Sequence, residues 1–441
     1  MSARTARTAL TALAAIFLIA AEAPETRLEE YQRLRREGAA AAQAGDLAKA
    51  ETALAEALKL YPDVPGSYIR LARVQAAAGR TEAATANLAT YAAMGLWLDL
   101  SRDPALQALA DQPEFAPVMA RLKLNSQPGQ ETFAWARLEP GGGVFEGIVG
   151  YEKGFLVSSV ASRTLLKVSG QGEVESFLAP DDETGGLFGM AVDRSADTLW
   201  VAESRGAGIP GSAGEARTGL LKVSLSKRKV VKRFLLPQDG VKRQLGDVMI
   251  DRDGTVYASD SVGAGIYRLK PGAPKLELFV QSRNMASPQG MAICPDAGAM
   301  VVADYSTGLH RIDLRTGEET LVGGLMMGLA GTDGLLRVDY TFEGGVTGRG
   351  ERKPMPMDLV VTQNGVSPER VLYLHLSGDC RTVEGASVLT QGQRDITLAA
   401  QASGVIGFIG SSGWAAYDGD GKPTTETPAP AMLFVVDIPQ R

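Results

Sequence analysis

Histidine and cysteine are nearly absent, with two of each in 441 residues. A zinc site built on several histidines is therefore excluded. So is a CxxC redox pair, because Cys294 and Cys380 lie far apart in the chain. His310 and His375 fall in strand-like runs, GLHRIDL and YLHLSG, and read as structural side chains rather than as a catalytic base. An excess of basic charge is also missing. The net charge of -6 argues against nucleic acid as a partner, since a phosphate backbone requires clustered lysine and arginine. Aromatic residues are only 6% of the chain, too sparse for an evident sugar-stacking platform; Trp200 and Trp414 read as packing.

Long apolar runs are lacking except at the start. Arg4 and Arg7 precede the apolar stretch Ala9–Ala20, and small residues follow at Ala21 and Ala23. This is the layout of a secretory signal over residues 1–23. An uncleaved anchor is the alternative, although the run is short for a membrane span. The expected location is periplasmic or secreted, with no stable span once the signal is cleaved. There Cys294 and Cys380 could pair.

What the chain has in quantity is alanine and leucine at the front and glycine behind. From Glu25 to Met94 the periodicity is helical, and AQAGDLAKAETALAEAL at Ala42–Leu58 returns as AAAGRTEAATANLATYA at Ala76–Ala92. Gly45 matches Gly79, Ala50 matches Ala84 and Leu54 matches Leu88, each 34 residues on. Glycine ends one helix, small residues interlock the next, and Tyr61-Pro62 closes the unit. In Ala44-Gly45, Ala50, Ala57 and Pro62 the segment resembles the tetratricopeptide repeat, which implies contact with a protein partner. A cap that only packs on the next domain is the other reading. Asp103-Pro104 and Gln112-Pro113 start two short capping helices, so the helical domain spans residues 25–124. A linker rich in Ser, Pro, Gly and Gln covers 125–134.

Residues 135–441 alternate short apolar runs with Gly, Asp and Pro, and one pattern returns six times. Second strands end at Ser159, Glu203, Asp260, Asp304, Gln363 and Ser411, in steps of 44, 57, 44, 59 and 48 residues. A four-stranded propeller blade takes about 40–50 residues. The long steps contain insertions, Gly206–Thr218 and Asp339–Met357. The expected fold class is α plus all-β multidomain: tetratricopeptide-like helical repeats followed by a six-bladed β-propeller. DGDG at Asp418–Gly421 opens like a calcium loop but continues with Lys422, and reads as a hairpin turn.

First strands of a propeller line its axis, so equivalent residues form a ring. Aligned on Gly147, Gly189, Asp247, Gly290, Gly334 and Gly404, the ring reads Glu146, Phe188, Gly246, Gln289, Asp333 and Ser403. Its oxygens suit a hard cation or a polar ligand. Here the chain from Val144 to Ile438 resembles the senescence marker/gluconolactonase-like propellers, in VDRSADTLWVAES, IDRDGTVYASDS, GTDGLL, VVTQNGVSPERVLYLHL and SSGWAAYDGDG. The resemblance implies one axial divalent cation, calcium or zinc, held by a Glu, two Asn and an Asp, with lactone or ester hydrolysis as the activity. Glu146 and Asp333 match that set. Gly246 and Gln289 stand where the family has Asn, which leaves Glu146, Gln289 and Asp333 as candidate metal ligands. Asp333 and Asp247 are the candidate catalytic bases, and Phe188 and Ser403 the candidate ligand contacts. Because the ligand set is altered, the first functional reading is an exported binding or scaffold protein, with helical repeats for a protein partner and the axis for a small molecule. The alternative is a metal-dependent lactonase or esterase.

Overall fold

A computed structural model describes residues 24–138, 143–339, 356–424 and 430–439, apart from residues 194, 213 and 297. The signal-like segment 1–23 and most of the insertion Asp339–Met357 lie outside the described residues.

Four helices form two antiparallel pairs: α1 (Arg27–Gln43), α2 (Leu47–Leu60), α3 (Pro65–Ala77) and α4 (Thr81–Ala93). Helix α1 opens with a capping box, in which Thr26 and Glu29 satisfy each other's backbone N–H groups. Asp46 caps α2 through the Lys49 N–H. The 34-residue equivalence has a physical basis. Gly45 and Gly79 take φ of 78° and 74°, which ends each first helix in a left-handed residue. Ala50, Ala84, Leu54 and Leu88 are all buried between helices. Helices α5 (Pro104–Ala110) and α6 (Ala116–Asn125) follow, α5 capped by the Asp103 carboxylate, and they cover the apolar side of α3 and α4. No helix among the described residues is long and apolar enough to cross a membrane.

The rest is a six-bladed β-propeller, each blade an antiparallel sheet of four strands. The innermost strands are Phe145–Tyr151, Gly186–Asp193, Leu245–Ile250, Pro288–Ile293, Thr332–Arg337 and Ala399–Ala402. Blade five gains a short parallel strand, Gly323–Gly324. Blade six closes the ring with both ends of the domain, because Phe133–Arg137 pairs as its outer strand with Met432–Asp437. Two residues assigned to the linker therefore belong to the propeller. Second strands such as Gly154–Ser159 and Ala299–Asp304 are buried along their whole length, since both faces meet neighbouring blades. Asp418–Gly421 forms a turn, with the Gly421 N–H donating to the Asp418 carbonyl. Cys294 and Cys380, 86 residues apart and both buried, form a disulfide between blades four and five.

The helical unit packs on the propeller face where the inner strands of blades four and five begin. Asp63, in the α2–α3 turn, accepts hydrogen bonds from the Met327, Gly328 and Leu329 N–H groups at 3.0, 2.6 and 2.9 Å. The fully buried Arg370 donates to Gln363 Oε1 and to the carbonyls of Met94 and Met327. Gln363 in turn holds the Gly328 and Ala330 carbonyls. Burial pushes the Asp63 carboxyl up to about 6 against these three donors. Replacing Asp63 by alanine strands three buried N–H groups, so the urea midpoint should fall by an amount equivalent to about 3 kcal/mol. Asp46→Ala, which removes one exposed helix cap, should cost about 1 kcal/mol. Equal losses in the two variants would show that the docking bonds contribute little.

Candidate functional site

Five of the six inner strands start with a β-bulge. Pairing jumps between Phe145 and Ile148, Leu187 and Met190, Leu245 and Val248, Pro288 and Met291, and Thr332 and Gly334. A bulge re-aims side chains, and here it frees Glu146, Phe188, Gly246, Gln289 and Asp333 from the ladder. In blade six the Ser411 and Ser412 N–H groups bond to the carbonyls of Arg394 and Asp395. Asp395 is therefore the sixth ring residue. Alignment on Gly404 puts Ser403 there, and the structure corrects this. Ser403 lies in the hairpin turn at the opposite end of the strand, exposed, with φ of 47° and its hydroxyl donating to the Lys153 carbonyl.

The carboxylates of Glu146, Asp333, Asp395 and Asp247 act on one another across the axis. Glu146 is pushed well above the usual carboxylate range, first by burial and then by the Asp333 charge, although the Trp414 indole N–H bonded to its Oε2 works the other way. Asp333 is pushed up to about 6 by burial, opposed by the Asn364 side-chain N–H at 2.8 Å and assisted by Asp395. Asp247 is also pushed well up, by burial and then by Asp333. The charges acting on these three are all carboxylates. Tyr305 stands beside them, its hydroxyl pushed up to about 12 by burial, Asp333 and Glu369.

The neighbours fix how each group is presented. Asn364 spans from Asp333 to the Ile396 carbonyl through its N–H groups, and its own Oδ1 is buried with no partner. Gln289 Nε2 donates to Ser287 Oγ at 3.0 Å, and a methyl group built on Gly246 would sit 3.7 Å from Gln289 Oε1. The small residue at 246 thus leaves room beside that amide oxygen. Phe188 is 2% exposed, with its ring 6.5 Å from that of Trp414, so it packs beneath the site rather than offering a contact surface. Asp247 lies one residue further along its strand and lines the channel below the ring.

The donor chemistry fits a hard cation that takes carboxylate and amide oxygens. Cysteine and histidine take no part in it: both cysteines are in the disulfide, His310 is paired with Glu319 in blade four, and His375 with Asp358 in blade five. Among the described residues, no three acidic, histidine or cysteine side chains are drawn together closely enough to form a cage by themselves. Asn364, Asp395 and Trp414 as the partner of Glu146 are absent from the ring derived by alignment. Asn364 directly follows Gln363, the end of a second strand, and Asp395 precedes the apolar run ITLAA.

No family model matches the chain, and no curated protein matches it. Solved structures are similar in arrangement. A gluconolactonase from Xanthomonas campestris gives a TM-score of 0.44 at 16% identity, over 70% of this chain and 94% of that one. Regucalcin from Agrobacterium tumefaciens, described as a calcium-binding protein, gives 0.44 at 14%, over 69% and 95%. A PQQ-bound aldose sugar dehydrogenase from Streptomyces coelicolor gives 0.45 at 14%, over 70% and 98%. The six blades of this domain are shown by its own sheet topology. The likeness is one of fold, on which unrelated chemistries stand.

The raised carboxyls make a prediction about stability. A carboxyl raised on folding binds its proton more tightly in the folded state. Its stabilisation is complete below the unfolded value and is lost as pH rises through the folded one. For Asp333 that window runs from 3.8 to about 6. The stability of the wild type minus that of Asp333→Asn, from urea unfolding, should therefore fall as pH rises from 4 to 7. A difference that is flat or rises with pH would contradict the burial assigned to this group.

Proposed function

We propose that the ring is a hydrolytic site for a small lactone or ester, in an exported protein. The observation that carries this reading is the placing of Asp333. Its carboxylate is oriented by Asn364 and set among Glu146, Asp395 and the free oxygen of Asn364. A carboxylate held in this way can take a proton from a water molecule as that water adds to the acyl carbon. It can then return the proton to the alkoxide that leaves when the acyl C–O bond breaks. The products are a carboxylic acid and a hydroxyl group, which on a lactone belong to one molecule. Glu146, Gln289 Oε1, Asp333 and Asn364 Oδ1 are the groups that would hold a divalent cation of the calcium type. When bound, such a cation supplies polarisation of the substrate carbonyl. Tyr305 and Trp414 wall the site, and Trp414 keeps one Glu146 oxygen in place.

The reading as a binding or scaffold protein has less support. Its premise is a free helical surface, and much of the apolar surface of α3 and α4 and the α2–α3 turn is committed to α5, α6 and blade five. Export is supported by the basic and apolar start of the chain and by the Cys294–Cys380 disulfide, which persists in oxidising compartments.

The test is a panel of γ- and δ-lactones and aryl esters, assayed with and without added Ca²⁺ or Mn²⁺. At least one substrate should turn over, and Asp333→Asn should lower kcat by about a hundred- to ten-thousand-fold with the fold retained. Asn364→Ala should lower kcat more than it raises KM, since it releases the orientation of Asp333. Turnover that survives in Asp333→Asn, or no turnover across the panel, would reject the assignment.

A further inference from the structure

The axis has a second end. Below the ring runs a cavity of about 1620 Å³ that reaches the hairpin turns at Glu152, Asp253 and Ser403, on the face away from the helices. Its walls are unlike a simple hydrated pore. Partly exposed aliphatic side chains line it, among them Val149, Val192, Val248, Met249, Ile250 and Leu335.

At its inner end stands Asp247, 8% exposed. Its backbone N–H is bonded to Ser259 Oγ, but among the described residues nothing donates a hydrogen bond to its carboxylate and no cation faces it. The position is unusual in the ring. Gly147, Gly189, Gly290 and Gly334 occupy it in four other blades, and Asp247 alone brings a carboxylate there. Gly189 makes the space, since a methyl group on it would lie 2.6 Å from Asp247 Oδ1. The lining carries six carboxylates against two guanidinium groups, Arg252 and Arg337. One of these, Arg337, is turned toward Asp339 and the Ile293 carbonyl. A negative potential in a channel with low-dielectric walls attracts cations and repels anions.

We propose that this channel is a binding site for an amphiphilic organic cation, whose ammonium group donates to Asp247 and whose hydrocarbon body lies along the aliphatic wall. The ammonium supplies the missing counter-charge and hydrogen-bond donor, and the hydrocarbon covers apolar surface that water now wets. The site borders the ring, whose Asp333 charge reaches Asp247, but it does not rest on the hydrolytic reading. A bare metal ion is a poor occupant, because one carboxylate among aliphatic side chains supplies few oxygens.

Isothermal titration of the purified chain at pH 7 with n-hexylamine, n-hexanol and hexanoate tests this. Hexylamine should bind saturably at one site, and hexanol and hexanoate at least about tenfold more weakly. Asp247→Asn, nearly isosteric, should weaken hexylamine by about tenfold or more. Asp253→Asn at the rim should change it by no more than about twofold. Saturable binding absent, hexanol equal to hexylamine, an unchanged Asp247→Asn, or Ca²⁺ displacing hexylamine mole for mole would each overturn the proposal. The comparison of hexylamine with hexanol needs no variant, so it holds even if a substitution perturbs folding.

Discussion

Six strands converging on one axis crowd their neighbours at the strand starts, and the rest of the propeller depends on how that crowding is met. At the bulged start of the inner strands a methyl group on Gly147 would lie 2.2 Å from the Phe188 carbonyl oxygen, and one on Gly290 2.3 Å from the Leu335 nitrogen. Glycine there allows adjacent blades to touch backbone to backbone, and the bulge turns the preceding residue toward the axis. The same constraint that closes the ring therefore presents Glu146, Gln289 and Asp333 together. Where one blade departs from glycine, at Asp247, the extra side chain has only the channel to enter.

The helical unit is tied to this arrangement. Asp63 grips the N–H groups of residues 327–329, and Gln363 with Arg370 holds the carbonyls of the same segment. That segment runs directly into Thr332 and Asp333. A loop that crosses a propeller face would otherwise be among the mobile parts of the fold. Here its backbone groups are satisfied from two sides, so the approach to Asp333 is fixed by contacts from Asp63, 264 to 266 residues earlier in the chain.

The two ends of the axis use carboxylates in different company. Above, Glu146, Asp333 and Asp395 share amide and indole donors and mutual charge, an arrangement suited to proton transfer and to hard cations. Below, Asp247 stands among aliphatic side chains with no donor among the described residues. Residues 246 and 247 are neighbours in sequence, yet a strand places consecutive residues in separate surroundings. One blade start thus serves two environments.

The order of helical unit then propeller, the 34-residue equivalence of Gly45 with Gly79 and the number of blades could be read from the chain, because each rests on local periodicity and turn chemistry. Glu146, Gln289 and Asp333 were legible for the same reason: each stands just before a glycine that marks a blade start. Blade six was not. Ile396 replaces that glycine, so an alignment keyed on glycine slides to Gly404 and selects Ser403 instead of Asp395. Its outer strand, Phe133–Arg137, comes from the other end of the domain, which no local pattern reveals. Asn364 and Trp414 reach the site from other strands and loops, and only the closed ring brings them to Asp333 and Glu146. The docking of the helices likewise depends on Asp63 meeting backbone N–H groups far along the chain, and backbone groups leave no mark in composition. The sequence by itself determined the elements and their repeat. The tertiary structure decided which carboxylates share a site, because that depends on radial closure and on the crowding it imposes at the axis.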